Sequence, residues 1–168
     1  METQNKVVVG IFIVIALIVL LGILVSFIDE DSEVDNQTET IVSSSINEES
    51  NYLSSVYIIN QGISGTSFIM QDVMIGISDG SITYYDGILL TRQAKGNYEL
   101  TLESLDSLEV PNKYKEHYKH NRKANVLIIE AMDLIEEALI EDSPIKMNKA
   151  ASKIYEATNE MNKATNSL

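Results

Sequence analysis

Residues 7–28 read VVVGIFIVIALIVLLGILVSFI, a block with no charged side chain and one hydroxyl, at Ser26. At a rise of ~1.5 Å per residue it makes a helix of roughly 33 Å, enough to cross a hydrocarbon core of about 30 Å. A core helix would show a polar face, and this block has none. A cleaved signal peptide has an apolar stretch of only about 7–15 residues and a small-x-small site after it. Val25-Ser26-Phe27 leading into Ile28-Asp29 offers no such site. The block therefore predicts a retained single-pass transmembrane anchor whose first partner is the lipid bilayer.

Lys6 and the α-amino group precede the block, whereas Asp29, Glu30, Asp31, Glu33 and Asp35 follow it. The positive-inside bias then makes residues 1–6 a cytoplasmic tail and puts the rest outside the cytoplasm, at the cell membrane. A pilin-like subunit is a remote alternative, because pilin helices carry a glutamate near their start and nothing acidic lies between Glu2 and Asp29.

Charge narrows the partners. The chain carries 25 acidic and 12 basic residues, a net −13, and almost all of the excess lies beyond the apolar block. Nucleic acid and anionic lipid headgroups would be repelled. Without cysteine there is no disulfide, thiolate nucleophile or cysteine-ligated zinc, so a domain here depends on its hydrophobic core.

Residues 29–49 read as an acidic, solvated linker. Asn36-Gln37-Thr38 is a glycosylation sequon if the host modifies it. The run Asp29–Asp35 resembles a calcium loop only loosely, since the turn glycine is missing and Thr40 stands where the bidentate glutamate belongs.

Residues 50–168 change to helical spacing, and the expected fold class is all-α. An antiparallel bundle of four helices is expected, with three long helices, the first fused to the anchor, as the alternative. Tyr52, Val56, Ile59, Ile63, Met70 and Met74 mark the inner face of the first helix. Gly62 and Gly65, among small hydroxylated residues, suggest a tight helix crossing there or else a local break. The second helix is expected over 81–108, with Ile82, Tyr85, Leu89, Leu102 and Leu105 inward, ending at Val110-Pro111. The third begins at Pro111 with the stripe Tyr114, His117, Ala124, Leu127, Ile128, Ala131, Leu134, Ile135 and Ala138. The fourth follows Glu141-Asp142-Ser143-Pro144, with Met147, Ala150, Ala151, Ile154, Ala157, Met161 and Ala164 inward.

No catalytic, cofactor-binding or metal site is assigned. The cluster KYKEHYKHNRK over Lys113–Lys123 is expected to lie beside Glu99, Glu103, Asp106 and Glu109 of the preceding helix, as hairpin ion pairs rather than an anion site. His117 and His120, with Glu116, are too few to complete a metal site, and no third histidine exists. Glu130, Asp133, Glu136, Glu137 and Glu141 read as the outer face of an amphipathic helix. No nucleophile elbow, phosphate loop or paired-carboxylate pattern accompanies the serines and histidines.

The pattern Leu105-x-x-Leu108-x-Val110-Pro111-x-x-Tyr114-x-x-His117, continuing through Ala124, Leu127, Ile128, Ala131, Leu134 and Ile135, covers about the C-terminal third. It resembles uncharacterised helical domains of small lipoproteins and anchored surface proteins of Gram-positive bacteria and methanogenic archaea. The resemblance implies a surface location and a helical fold, and brings no activity. The expectation is a non-enzymatic binding or interaction module of the cell envelope with a protein partner there. The alternative is a sensor-like ectodomain, whose signal would pass through a membrane partner by way of Gly10 and Gly22; an enzyme, which would require a polar, convergent pocket inside the bundle, is a remote alternative.

Overall fold

A computed structural model describes residues 42–168, with side chains from residue 47 onward. The tail 1–6, the anchor 7–28, the run Asp29–Asp35 and the sequon at Asn36 lie outside the described residues. Within them the chain is all-α: α1 (Val42–Asp79), α2 (Tyr84–Asp106), α3 (Lys115–Glu141) and α4 (Pro144–Thr165), with a 3-10 turn, Asn112–Tyr114, before α3. No helix among the described residues is long and apolar enough to cross a membrane.

Cross-helix pairs set the topology. Arg92 meets Glu136, Lys95 meets Asp133 and Asp106 meets Arg122, so α2 and α3 run antiparallel. Lys146 with Glu137 and Lys153 with Glu130 give α3 and α4 the same relation. Ser67 with Tyr98, and Ile77 against Gly87, do so for α1 and α2. Tyr52 with His117 and Asn60 with Asn121 then run α1 parallel to α3. The result is an up-down-up-down bundle.

Each turn has a local cause. Gly80 takes the left-handed conformation (φ +81°) that ends α1. Thr83 caps α2 by accepting from the Asp86 amide at 3.1 Å and donating its hydroxyl to the Asp86 carboxylate at 2.7 Å. Pro111 precedes the 3-10 turn, so α3 proper starts at Lys115 and not at the proline. Asp142, left-handed at φ 49°, closes α3, and Ser143 caps α4 with Pro144 in its first turn.

Three expectations need correction. α1 already runs from Val42, so residues 42–49 of the expected linker are helical. Val42, Ile46 and Leu53 fall at helical spacings of four and seven, a repeat that the surrounding serines and glutamates obscure. Gly62 and Gly65 neither break α1 nor mark a tight crossing. A Cβ on Gly62 would meet Thr101 Oγ1 only at 3.9 Å, and one on Gly65 would meet nothing within 4 Å. The close approaches are at Gly76, where a Cβ would fall 2.6 Å from the Ile82 side chain, and at Gly87, which lies against Ile77 and Leu139.

The third correction concerns α2. Tyr85 (70% exposed) and Leu89 (45%) face solvent, and the inward residues are Gly87, Thr91, Ala94, Tyr98 and Leu105. The large apolar residues suggest one face, but the small ones admit Ile77 of α1 and Leu139 of α3. Leu105 alone of the expected set is fully buried. The stripes of α3 and α4 are inward as expected, with Leu134 only partly buried.

Candidate functional site

The interior changes character along the bundle axis. Near the α1–α2 turn it is built from Met70, Met74, Ile77, Met132, Ile135, Leu139 and Met147. Toward the opposite end, Asn60, His117, Asn121 and Asn125 occupy core positions, each at most 1% exposed, beside Tyr52. On α3 these are successive steps of one stripe: His117, Asn121 and Asn125 lie four apart, as helix neighbours do.

The polar seam is connected. The Tyr52 hydroxyl lies 2.7 Å from His117 Nδ1. The Tyr52 ring stacks on Tyr114 (centroids 5.1 Å apart) and meets the His117 ring edge-on. Asn121 Nδ2 approaches Asn60 Oδ1 at 3.4 Å, and Asn125 Nδ2 donates to the Asn121 carbonyl (3.0 Å) and to its side-chain oxygen (3.1 Å). Further up, Ser67 Oγ lies 2.8 Å from the Tyr98 hydroxyl.

Three buried atoms have no hydrogen-bond partner among the described residues: Asn60 Nδ2, His117 Nε2 and Asn125 Oδ1. Leaving such a group unpaired costs about 1–3 kcal/mol. Burial pushes the His117 imidazole down to about 4, so it is neutral at ordinary pH, and raises the Tyr52 phenol well above its usual range. With Tyr52 donating to Nδ1, the His117 proton sits on Nε2; in the other tautomer Nε2 is an open acceptor. The seam offers neutral donors and acceptors and no buried carboxylate, so it suits an uncharged polar group better than an ion. Tyr52 also reaches a shallow cleft of about 240 Å³ between Asn51 and Ser55 of α1 and Val110-Pro111.

The basic cluster is dispersed over several partners. Arg122 pairs with Asp106 (2.8 and 2.9 Å), which also accepts from the Tyr118 hydroxyl, as the hairpin reading expects. Lys113 instead pairs with Glu49 of α1, and Lys119 with Glu116. Glu99 sits near Lys95 of its own helix. Glu160 of α4, hardly exposed, receives Lys163 (2.9 Å), His120 (2.7 Å) and Lys123 (3.0 Å). With Lys163 the largest influence and burial opposing, its carboxyl is held down to about 2. His117 thus turns inward to α1 and His120 turns to α4. Among the described residues no three histidine or carboxylate groups gather to hold a metal ion. Glu130, Asp133, Glu136, Glu137 and Glu141 all form outer ion pairs, as their spacing suggests.

The second unusual feature is the outer face of α1. Tyr57, Ile58, Phe68, Ile69 and Ile75 are 40–70% exposed, and Asp72 is the only charged residue between Asn51 and Ser78. Every other helix carries charges along its outer face. Sequence reasoning passed over both features, although each left a signal. The stripe of α3 continues through Asn121 and Asn125 at the same spacing, and a long stretch with one charge stands out in a chain of net −13.

No protein-family model, curated protein or solved structure matches this chain.

Proposed function

We propose that the chain is a non-enzymatic binding module of the cell envelope, tethered by residues 7–28 with its N-terminus cytoplasmic, that docks a protein partner on the outer face of α1. The observation that carries this is that face: five exposed large apolar residues with a single carboxylate among them. Large apolar side chains gathered on one nearly uncharged helix face are commonly covered by a partner or a membrane. The acidic character of the rest disfavours nucleic acid and anionic lipid as that partner. The surface location implied by the resemblance to envelope lipoproteins agrees with this reading.

The test uses the full chain in membranes. It should sediment with the membrane fraction, with the bundle open to protease only from the non-cytoplasmic side. Ile58→Glu together with Ile69→Glu should abolish cross-linking to the partner while leaving thermal unfolding unchanged. Recovery of the chain in the soluble fraction, or unaltered cross-linking by the double variant, sinks the proposal.

A sensor-like ectodomain is the second reading, favoured by the unpaired polar atoms on Asn60, His117 and Asn125. A neutral polar metabolite seated there at a hundred times its dissociation constant would add roughly 2.7 kcal/mol to stability. Thermal unfolding against a panel of such molecules, with and without chelator, decides it; a flat panel counts against a ligand.

A further inference from the structure

We infer that the seam between α1 and α3 is an internal water-binding site, built by Asn60, His117, Asn121 and Asn125, in which ordered water completes the hydrogen bonding that the chain cannot complete by itself. The inference goes beyond both readings above and holds whichever of them stands.

The reason lies in the order of donors and acceptors. The carboxamides run head to tail: Asn125 Nδ2 donates to Asn121 Oδ1, and Asn121 Nδ2 approaches Asn60 Oδ1. Such a chain ends on an open acceptor, Asn125 Oδ1, and an open donor, Asn60 Nδ2. Turning amides over does not close it. Reversing Asn125 alone sets its oxygen against the carbonyl and side-chain oxygens of Asn121. Reversing Asn60 alone sets two amide nitrogens face to face. Reversing all three only exchanges the open donor and acceptor between the ends, and gives up the bond to the Asn121 carbonyl. His117 behaves in the same way. With Nδ1 committed to the Tyr52 hydroxyl, Nε2 stays open, as donor in one tautomer and acceptor in the other. All four residues are at most 1% exposed, so bulk solvent does not serve them.

The spacing of the helices leaves room. Among the described residues, no Cα of α1 comes within 8 Å of a Cα of α3 or α4, so side chains alone close the space between them. Tyr52 spans it at one level, by its full length. At the level of Asn60 the link is two short carboxamides meeting at 3.4 Å. One turn further on, the parallel run sets the still shorter Ser64 level with Asn125, whose own amide turns back along α3. The occupant must both accept from Asn60 and donate to Asn125, be small, and in a seam of neutral groups carry no charge. Water meets all of these conditions. Folded chains hold about one buried water per ~27 residues, typically making about three hydrogen bonds to otherwise open buried groups.

The experiment follows magnetisation transfer from water to the side-chain amides of the isotope-labelled full chain in lipid nanodiscs, with no ligand added. It is read in the rotating frame, where contact with water and exchange of protons give opposite signs. The side-chain amide protons of Asn60 and Asn125 should show water cross-peaks with the sign of contact, and the backbone amides of the buried Ile135 and Leu139 should show none. No contact cross-peak at either asparagine overturns the inference, as does equal transfer to the apolar controls. The sensor reading is scored separately. A metabolite that raises the unfolding temperature and erases the cross-peaks has displaced the water, which supports both. A flat metabolite panel with the cross-peaks intact removes the sensor reading and leaves the water site standing.

Discussion

The two ends of the bundle are held together by different chemistry. Around Met74, Ile135, Leu139 and Met147 the helices meet through close-packed apolar side chains. Around Tyr52, Asn60, His117, Asn121 and Asn125 a seam of hydrogen bonds, some of them incomplete, runs beside a smaller apolar cluster of Tyr52, Val56, Leu105 and Tyr114. Apolar packing is non-directional and returns energy in proportion to area, at roughly 25 cal/mol per Å². A buried polar seam returns little net stability, because each bond replaces one with water, but it tolerates few alternative arrangements. The apolar end is therefore expected to return more stability per buried residue, and the polar seam to constrain which helix positions face each other.

The largest effect that would test this contrast is a truncation in the apolar end. Ile135→Ala should lower the unfolding free energy by roughly 2–5 kcal/mol, measured by urea denaturation. Asn125→Ala, equally buried but bonded only within its own helix, should cost clearly less. Equal losses from the two substitutions would mean the ends are energetically alike.

Acid should act on the polar end first. His117 is held near 4 in the folded chain against 6.5 when exposed. The stability this contributes is fully present above about pH 6.5 and is lost as the pH falls toward about 4, up to roughly 3 kcal/mol. Glu160, held near 2 against 4.5, loses its contribution only below that window, as the pH falls from 4.5 through about 2. Denaturation midpoints of the parent and of His117→Gln between pH ~7 and ~5 separate the two. The parent should lose stability over that range and the variant much less. Parallel slopes would remove His117 as the cause.

The smallest effect is a coupling. Asn60→Leu or Asn121→Leu alone strands its partner's amide, whereas the double substitution strands neither side of that bond. The double variant should be more stable than the sum of the singles predicts by about 1–2 kcal/mol. Simple additivity would show that the 3.4 Å contact carries no energy.

What could be read from the residues follows the same division. The stripes of α3 and α4 were legible because their inward residues are apolar and their outward ones charged, so pattern and burial coincide. The first half of α2 misleads because large residues suggest burial. In fact Gly87, Thr91 and Ala94 face inward so that Ile77 and Leu139 can reach them. The seam escaped notice because Asn60 and Asn121 satisfy a helical repeat without being apolar, and a hydropathy pattern registers only the latter. The outer face of α1 is hidden for the converse reason: Tyr57, Ile58, Phe68, Ile69 and Ile75 alternate with the inward Tyr52, Val56, Ile63, Met70 and Met74, so hydropathy marks no outer side.

The parallel pairing of α1 with α3 also has a consequence in time. Tyr52 and His117 are 65 residues apart along the chain. At a synthesis rate of about 5–20 residues per second, Tyr52 leaves the ribosome roughly 3–13 s before the His117 it meets. During that interval α2 can already pack on α1 through Ser67–Tyr98 and Ile77–Gly87, while Tyr52 and Asn60 still wait for α3. The asparagine, serines and tyrosine along its inner side keep that face partly wettable while it waits, so the residues that weaken the finished core also make the nascent helix less adhesive.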